Sequence, residues 1–312
     1  MGHALETWGL VATIKAPTAE VLRFVAYHLE LGAHRLHIYL DAPDAATYAP
    51  LKANPKVRVT QCDARYWKNR KRPEKHQVRQ TVNATRTYRR QAETAWLAHI
   101  DVDEFLWPQT TVADALSALP PHINCARLRP REALPGDNEL FKDCVPSGPE
   151  RDKITQQIYP TFGAYVKGGF MSHVAGKLFV RTGLPDIEFR IHNAFQNGQT
   201  NPGHQTLDTM ALCHAHAQTW DAWIAAYRFR LAQGSYRSEL APNKSRTEGG
   251  LTMHELLSVI EDESGQSGLK RFYDELNAVD PVVRQNLQNR GMLHACPLHL
   301  DRAMRKHFPD FS

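Results

Sequence analysis

Apolar residues in the first hundred positions switch between two spacings. Leu10 to Ile14 is an apolar run of strand length, and Val21, Leu22, Val25, Ala26 and Leu29 then recur at helical spacing before Gly32 closes the helix. Leu36 to Leu40 predicts a second strand, ending at Asp41. After a proline-rich turn, Val57 to Cys62 predicts a third. His76 to Arg90 predicts a long polar helix, and Trp96 to Ile100 a fourth strand, ending at Asp101. Strands and helices alternating in this way imply parallel strands joined by crossovers, hence an α/β fold with an open sheet and helices on both faces. Such sheets bind ligands at the carboxyl ends of their strands, where Lys15, Asp41 and Asp101 all fall.

The second half of the chain is less regular. Ala126 to Leu128 predicts a short strand, and Pro130 to Asp152, with its prolines and mixed charges, a long loop. Gly168 to Thr182 predicts a hairpin or strand pair, and Phe189 to His192 a short strand. Asn193 to Gly203, rich in Asn, Gln and Gly, predicts a mobile lid. Trp223, Ile224, Tyr227 and Leu231 mark an amphipathic helix, and Met253 to Glu263 and Leu269 to Leu276 are further helical stretches. The expected organisation is one α/β domain over 1–217, its more regular half ending at 107, and a mostly helical C-terminal extension over 218–312.

Composition narrows the class. Of the 312 residues 42% are hydrophobic and 23% charged, which fits a folded globular chain. The formal net charge of +5 is too diffuse for a nucleic-acid binder. One run concentrates it: Lys68, Arg70, Lys71, Arg72 and Lys75 could meet a phosphate-bearing substrate or an anionic membrane, although a solvated loop is the plainer reading. The five cysteines are widely spaced with no C-x-x-C pair, as expected in a reducing compartment. No basic segment leads into an apolar stretch at the start, and no run of 18 apolar residues occurs. A cytoplasmic protein with at most peripheral membrane contact is expected.

The chemistry concentrates in Ile100-Asp101-Val102-Asp103-Glu104-Phe105, where an apolar strand runs into three carboxylates. If the backbone stays extended, Asp101 and Asp103 share a face and Val102 points into the core. Carboxylates so close repel unless a cation lies between them, and Mg²⁺ or Mn²⁺ accepts such oxygens while keeping positions for substrate phosphates. The plain alternative is that these acids cap the next helix.

Together with Ala12-Thr13-Ile14-Lys15, Phe24-Val25-Ala26-Tyr27-His28, Leu31-Gly32, Ile38-Tyr39-Leu40-Asp41, and Gln77, Gln80 and Asn83, this motif resembles the glycosyltransferases of the GT-A fold, both family 2-like and family 92-like. The resemblance covers about the first 107 residues, and departs at Lys15-Ala16-Pro17, where many relatives carry Asn-Glu after the lysine. It implies a GT-A domain over 1–217 with a nucleotide-sugar half over 1–107 and an acceptor half over 108–217, and a nucleotide-sugar donor held by Thr13, Lys15, Asp41 and Gln80, with Asp41 toward the base. It also implies Asp101 near ribose and metal, Asp103 as a direct metal ligand, and a downstream histidine completing the coordination. His192, 91 residues after Asp101, has that spacing, and the pair His214 and His216 is its rival. Lys177 and Arg181, four apart on one strand, could neutralise a leaving diphosphate.

The implied reaction is metal-dependent transfer of a hexose or related sugar to a saccharide or other hydroxyl acceptor, with inversion, in surface polysaccharide or glycoconjugate synthesis. Glu132 is the candidate base, with Asp137, Glu139 and Asp143 as alternatives. Two other classes compete: a metal-dependent phosphoesterase acting on nucleotide-type substrates, and a non-catalytic sugar- or nucleotide-binding module.

Overall fold

A computed structural model describes residues 6–90, 93–136, 139–216, 218–233, 247 and 250–311. The chain begins β1 (Trp8–Ile14), α1 (Thr18–Glu30), β2 (Arg35–Leu40), α2 (Ala45–Ala53), β3 (Val57–Gln61), α3 (Ala64–Trp67), α4 (His76–Arg89) and β4 (Trp96–His99). It continues with β5 (Glu104–Pro108), α5 (Val112–Ser117), β6 (Cys125–Ala133), β7 (Leu140–Asp143), α6 (Arg151–Ile158) and β8 (Lys177–Arg181). Then come β9 (Ile187–Phe189), β10 (Ala194–Gln196), β11 (Gln199–Thr200), β12 (His204–His214), α7 (Trp220–Gln233), α8 (Met253–Leu276), α9 (Pro281–Asn289), β13 (Leu293–Ala295) and α10 (Leu300–His307). The fold is mixed α/β with an open sheet, as the alternating periodicities require.

Two compact units form. The first comprises 1–130, 175–212 and 298–312, and the second 131–174 and 213–297. In the first unit β1 pairs in parallel with β2 and with β4, and β2 with β3, while β8 runs antiparallel to both β4 and β6. Every residue of β1 is buried, because neighbours lie on both edges and helices cover its faces. Helix α1 turns Val21, Leu22, Val25 and Leu29 inward, and α10 packs against it through contacts that include Lys306 with Glu30 at 2.7 Å.

The second unit has its own core, in which Trp223, Tyr227, Leu257, Leu269, Phe272 and Leu276 pack with Ile158 and Tyr159. Helix α8 starts in a capping box between Thr252 and Glu255 and carries a non-helical Gly265, so the two expected stretches are one element with a break.

Four expectations are corrected. Pro130 to Asp152 is not a loop: β6 extends to Ala133, β7 follows, and α6 begins at Arg151. The mixed charges that suggested a loop are cross-strand partners, Arg131 opposite Asp143 and Glu132 opposite Lys142. Gly168 to Thr182 yields the single strand β8 rather than a pair. Asn193 to Gly203 is a paired segment, since β10 runs antiparallel to both β9 and β11. His192 accordingly lies in the turn between β9 and β10, closed by Arg190 N donating to Asn193 O at 2.9 Å, and not in a strand.

The Glu132–Lys142 pair is fully buried in the second unit. Glu132 accepts from the backbone N–H of Met171 and of Ser172, and Lys142 Nζ donates to Gly169 O at 2.7 Å. Burial by itself would raise the Glu132 pKa, but the Lys142 ammonium and these donors hold it at about 2. A carboxylate whose pKa is depressed on folding contributes stability above its unfolded value, near 4.5, and loses it as pH falls toward 2. The Tm advantage of the wild type over Glu132→Gln is therefore expected to be constant above about pH 5 and to shrink between pH 4.5 and 2. A difference that does not change across that window in parallel melts contradicts the assignment.

Candidate functional site

The carboxyl ends of β1, β2 and β4 lie side by side in the first unit, and α4 lies against β1. The helix presents polar residues at the spacing that usually marks an apolar face: His76, Arg79, Gln80, Asn83 and Thr87, all but His76 buried. Each finds a partner on or beside the strands. Asn83 donates to Thr13 Oγ1 at 3.1 Å and accepts from Tyr66 Oη at 2.6 Å. Thr87 Oγ1 bonds Tyr39 Oη at 2.8 Å. Gln80 Nε2 donates to Asp101 Oδ1 at 2.5 Å.

Asp41, just past β2, is buried and held by three cationic or imidazole groups. Arg79 Nη2 reaches Oδ2 at 2.6 Å, and Arg72 and His76 each approach to 3.1 Å. Burial opposes its charge, but His76 and Arg79 hold its carboxyl well below the usual range. Lys15 is exposed at the end of β1, as is Gln77 on α4.

After β4 the backbone turns instead of staying extended. Glu104 N donates to Asp101 O at 3.1 Å, and Asp101 N donates to Glu104 Oε2 at 2.8 Å, closing a tight turn over Asp101-Val102-Asp103-Glu104. Val102 is half-buried, not a core residue, and the fully buried acid is Glu104, at the start of β5.

The cation between two of these carboxylates is a side chain. Lys177 Nζ lies 2.6 Å from Asp101 Oδ2 and 3.2 Å from Glu104 Oε2, with no exposure of its own. Burial penalises the ammonium, yet the two carboxylates raise its pKa above the ordinary lysine value. Burial likewise works against ionised Asp101, and Lys177 outweighs it, holding Asp101 at about 2. Gly176, just before Lys177, lets the chain enter β8 close to β6: its φ is +66°, and a Cβ there would sit 1.9 Å from Leu128 O. His192 Nδ1 bonds Gly176 O at 2.9 Å, so ligation by this ring would run through Nε2.

The structure thus gathers Thr13, Asp41, Gln80, Asp101 and Lys177 around one sheet edge, with Asp103 half-buried on the turn. Arg181 is elsewhere: four residues along β8, its guanidinium reaches Glu6 at 3.0 Å and lies over the Trp96 ring. Glu132 lies in the second unit, enclosed as described, and a carboxylate with its lone pairs so occupied is a weak proton acceptor. Of its alternatives, Asp143 is paired with Arg131 at 3.0 Å and with His294 at 2.5 Å, Glu139 precedes β7, and Asp137 falls outside the described residues. His214 and His216 also lie in the second unit, their rings 5.1 Å apart, with His173 5.4 Å from His214. His76, Arg79 and Tyr66 are not expected from the sequence, and Arg72 is expected only as a member of the cationic run. The signal for the α4 members is a helical periodicity of polar residues.

No protein-family model and no curated protein matches the sequence. Among solved structures, HddC from Yersinia pseudotuberculosis is similar with a TM-score of 0.36 and 11% identity, over 72% of this chain and 100% of that one. The galactosyltransferase LgtC, in complex with donor and acceptor sugar analogs, gives 0.28 and 15% over 55% of this chain and 57% of its own. GalNAc-T7 with UDP, GalNAc and Mn²⁺ gives 0.39 and 11% over 88% and 58%. All three are partial likenesses, and the functional reading rests on the residues of the sheet edge themselves.

Proposed function

We propose that the first unit binds a nucleotide-sugar diphosphate at the carboxyl ends of β1, β2 and β4, and that the protein is a divalent-cation-dependent glycosyltransferase acting on a hydroxyl acceptor. The observation that carries this reading is the carboxylate turn Asp101–Glu104 at a strand end, faced by the polar stripe of α4. Asp101 and Asp103 offer hard oxygen donors, and Asp101 is ionised far below neutral pH, which suits Mg²⁺ or Mn²⁺. When bound, the cation would supply charge stabilisation to the departing nucleoside diphosphate.

The remaining roles belong to the chain. Lys177 and Gln80 fix the two oxygens of Asp101, so that Asp101 sets the field of the site while Asp103 serves as the direct ligand. Thr13 and Asn83 fasten α4 to β1 and set the depth of the donor pocket. Arg72, His76 and Arg79 fix Asp41 at the end where the resemblance puts the base, and Lys15 stands exposed for the phosphates.

The test is turnover of UDP- and GDP-sugars by the full chain with and without Mn²⁺. Release of nucleoside diphosphate that requires the cation and rises with a glycan acceptor is expected. Release of inorganic phosphate instead would favour the phosphoesterase, and binding without turnover a non-catalytic module.

A further inference from the structure

We propose that the cationic segment between β3 and α4 docks the protein on the surface of an anionic lipid bilayer. From Asp63 to Lys75 the chain carries Arg65, Lys68, Arg70, Lys71, Arg72 and Lys75 against Asp63 and Glu74, a net of +4 in a chain whose formal total is +5. Nearly all the excess charge of the protein is concentrated in this one stretch.

Three features separate it from an ordinary solvated loop. Lys68, Lys71 and Lys75 are exposed, and among the described residues no acidic side chain pairs with them or with Arg65. Of the acids close by, Asp63 caps α3 by accepting from Tyr66 N at 2.8 Å, and Asp41 is held by Arg72, His76 and Arg79. The charge also stands where it lowers helix stability, since Lys75 is the N-cap residue of α4 and no acid occupies the first turn. Cations at that end oppose the helix dipole, so the sequence here departs from what folding alone favours.

The segment is also held in place from within. Arg70 lies 4.6 Å from the Tyr66 ring centre and 4.9 Å from that of Trp67, and Arg86 lies 5.2 Å from Tyr66. Trp67 is buried, and Tyr66 Oη is bonded to Asn83. Trp67 is thus enclosed and the half-buried Tyr66 ring already faces Arg70 and Arg86, which leaves little platform for nucleic-acid bases to stack on and favours a sheet of lipid phosphates over a single-stranded nucleic acid. Arg72 links the segment to Asp41, so a bilayer bound here would lie beside the carboxyl edge of the sheet.

Sedimentation of the full chain with vesicles tests the proposal, whatever the strand-end site turns out to bind. Binding is expected to vesicles of equal parts phosphatidylcholine and phosphatidylglycerol, not to phosphatidylcholine alone, and to fall steeply with added salt. Each lysine near a charged surface changes partitioning by about five-fold, so Lys68→Gln/Lys71→Gln/Lys75→Gln should weaken it by about a hundredfold. The three lysines are exposed, and an unchanged far-ultraviolet spectrum and melting curve would show that the variant is folded. Equal binding to both vesicle types, or undiminished binding by the triple variant, would overturn the proposal. So would displacement by inorganic phosphate at matched ionic strength, or tighter binding to an oligonucleotide than to anionic vesicles at equal phosphate.

Discussion

Replacing Lys177 with Met is expected to cost about 3–5 kcal/mol, the usual penalty for leaving a buried charge without its partner. Lys177 is fully buried between Asp101 and Glu104, at 2.6 and 3.2 Å, so its removal confronts two carboxylates with each other in a poorly hydrated turn. A methionine refills most of the volume, which assigns the loss to charge and not to a cavity. In a chain of this size the effect should appear as a fall of roughly 10 °C in Tm. Adding Glu104→Gln to Lys177→Met should recover part of the loss, because the pair of anions is then reduced to one. A fall in Tm of less than about 2 °C, the scale of an exposed ion pair, would show that Lys177 does not neutralise the turn.

This lysine also marks the limit of what the sequence discloses. The repulsion between neighbouring acids points to a divalent ion between Asp101 and Asp103, and sequence distance hides that Lys177, 76 positions from Asp101, stands between Asp101 and Glu104. The elements β1, α1, β2 and β4 are legible to within a few residues because each buries an apolar run or stripe, whereas β3 shows as a short β-branched run and α4 as a polar stretch of good helix formers. Helix α2 is not legible: it contains Pro50 and turns only Thr47 and Leu51 inward, too little for a periodic signal. In β6 and β7 the buried pair Glu132–Lys142 reverses the usual rule, so charged letters denote an interior ladder. The site is legible where chemistry is clustered in sequence, at Asp101, Asp103 and Glu104. It is obscure where α4 contributes one residue per turn, because Arg79 and His76 reach Asp41 across 38 and 35 positions.

Asp103→Ala is expected to abolish cation-dependent turnover, lowering it on the order of a thousandfold, while leaving the fold in place. The two expectations are separable because the bonds that close the turn, Glu104 N to Asp101 O and Asp101 N to Glu104 Oε2, use neither the Asp103 side chain nor its backbone. Asp103 is half-buried, so truncation leaves no sealed cavity. Melting should therefore shift less than in Lys177→Met, and the comparison distinguishes a ligand from a structural ion. Titrating Mn²⁺ against turnover extends the test to the histidines. His192 Nδ1 bonds Gly176 O, which orients the ring; if the ring ligates the cation it does so through Nε2, and His192→Ala should then raise the Mn²⁺ concentration needed for half-maximal turnover by about 10–100-fold. A shift confined to His214→Ala/His216→Ala would transfer the ligand role to that pair. Full cation-dependent turnover in Asp103→Ala would remove the carboxylate turn from the reaction altogether.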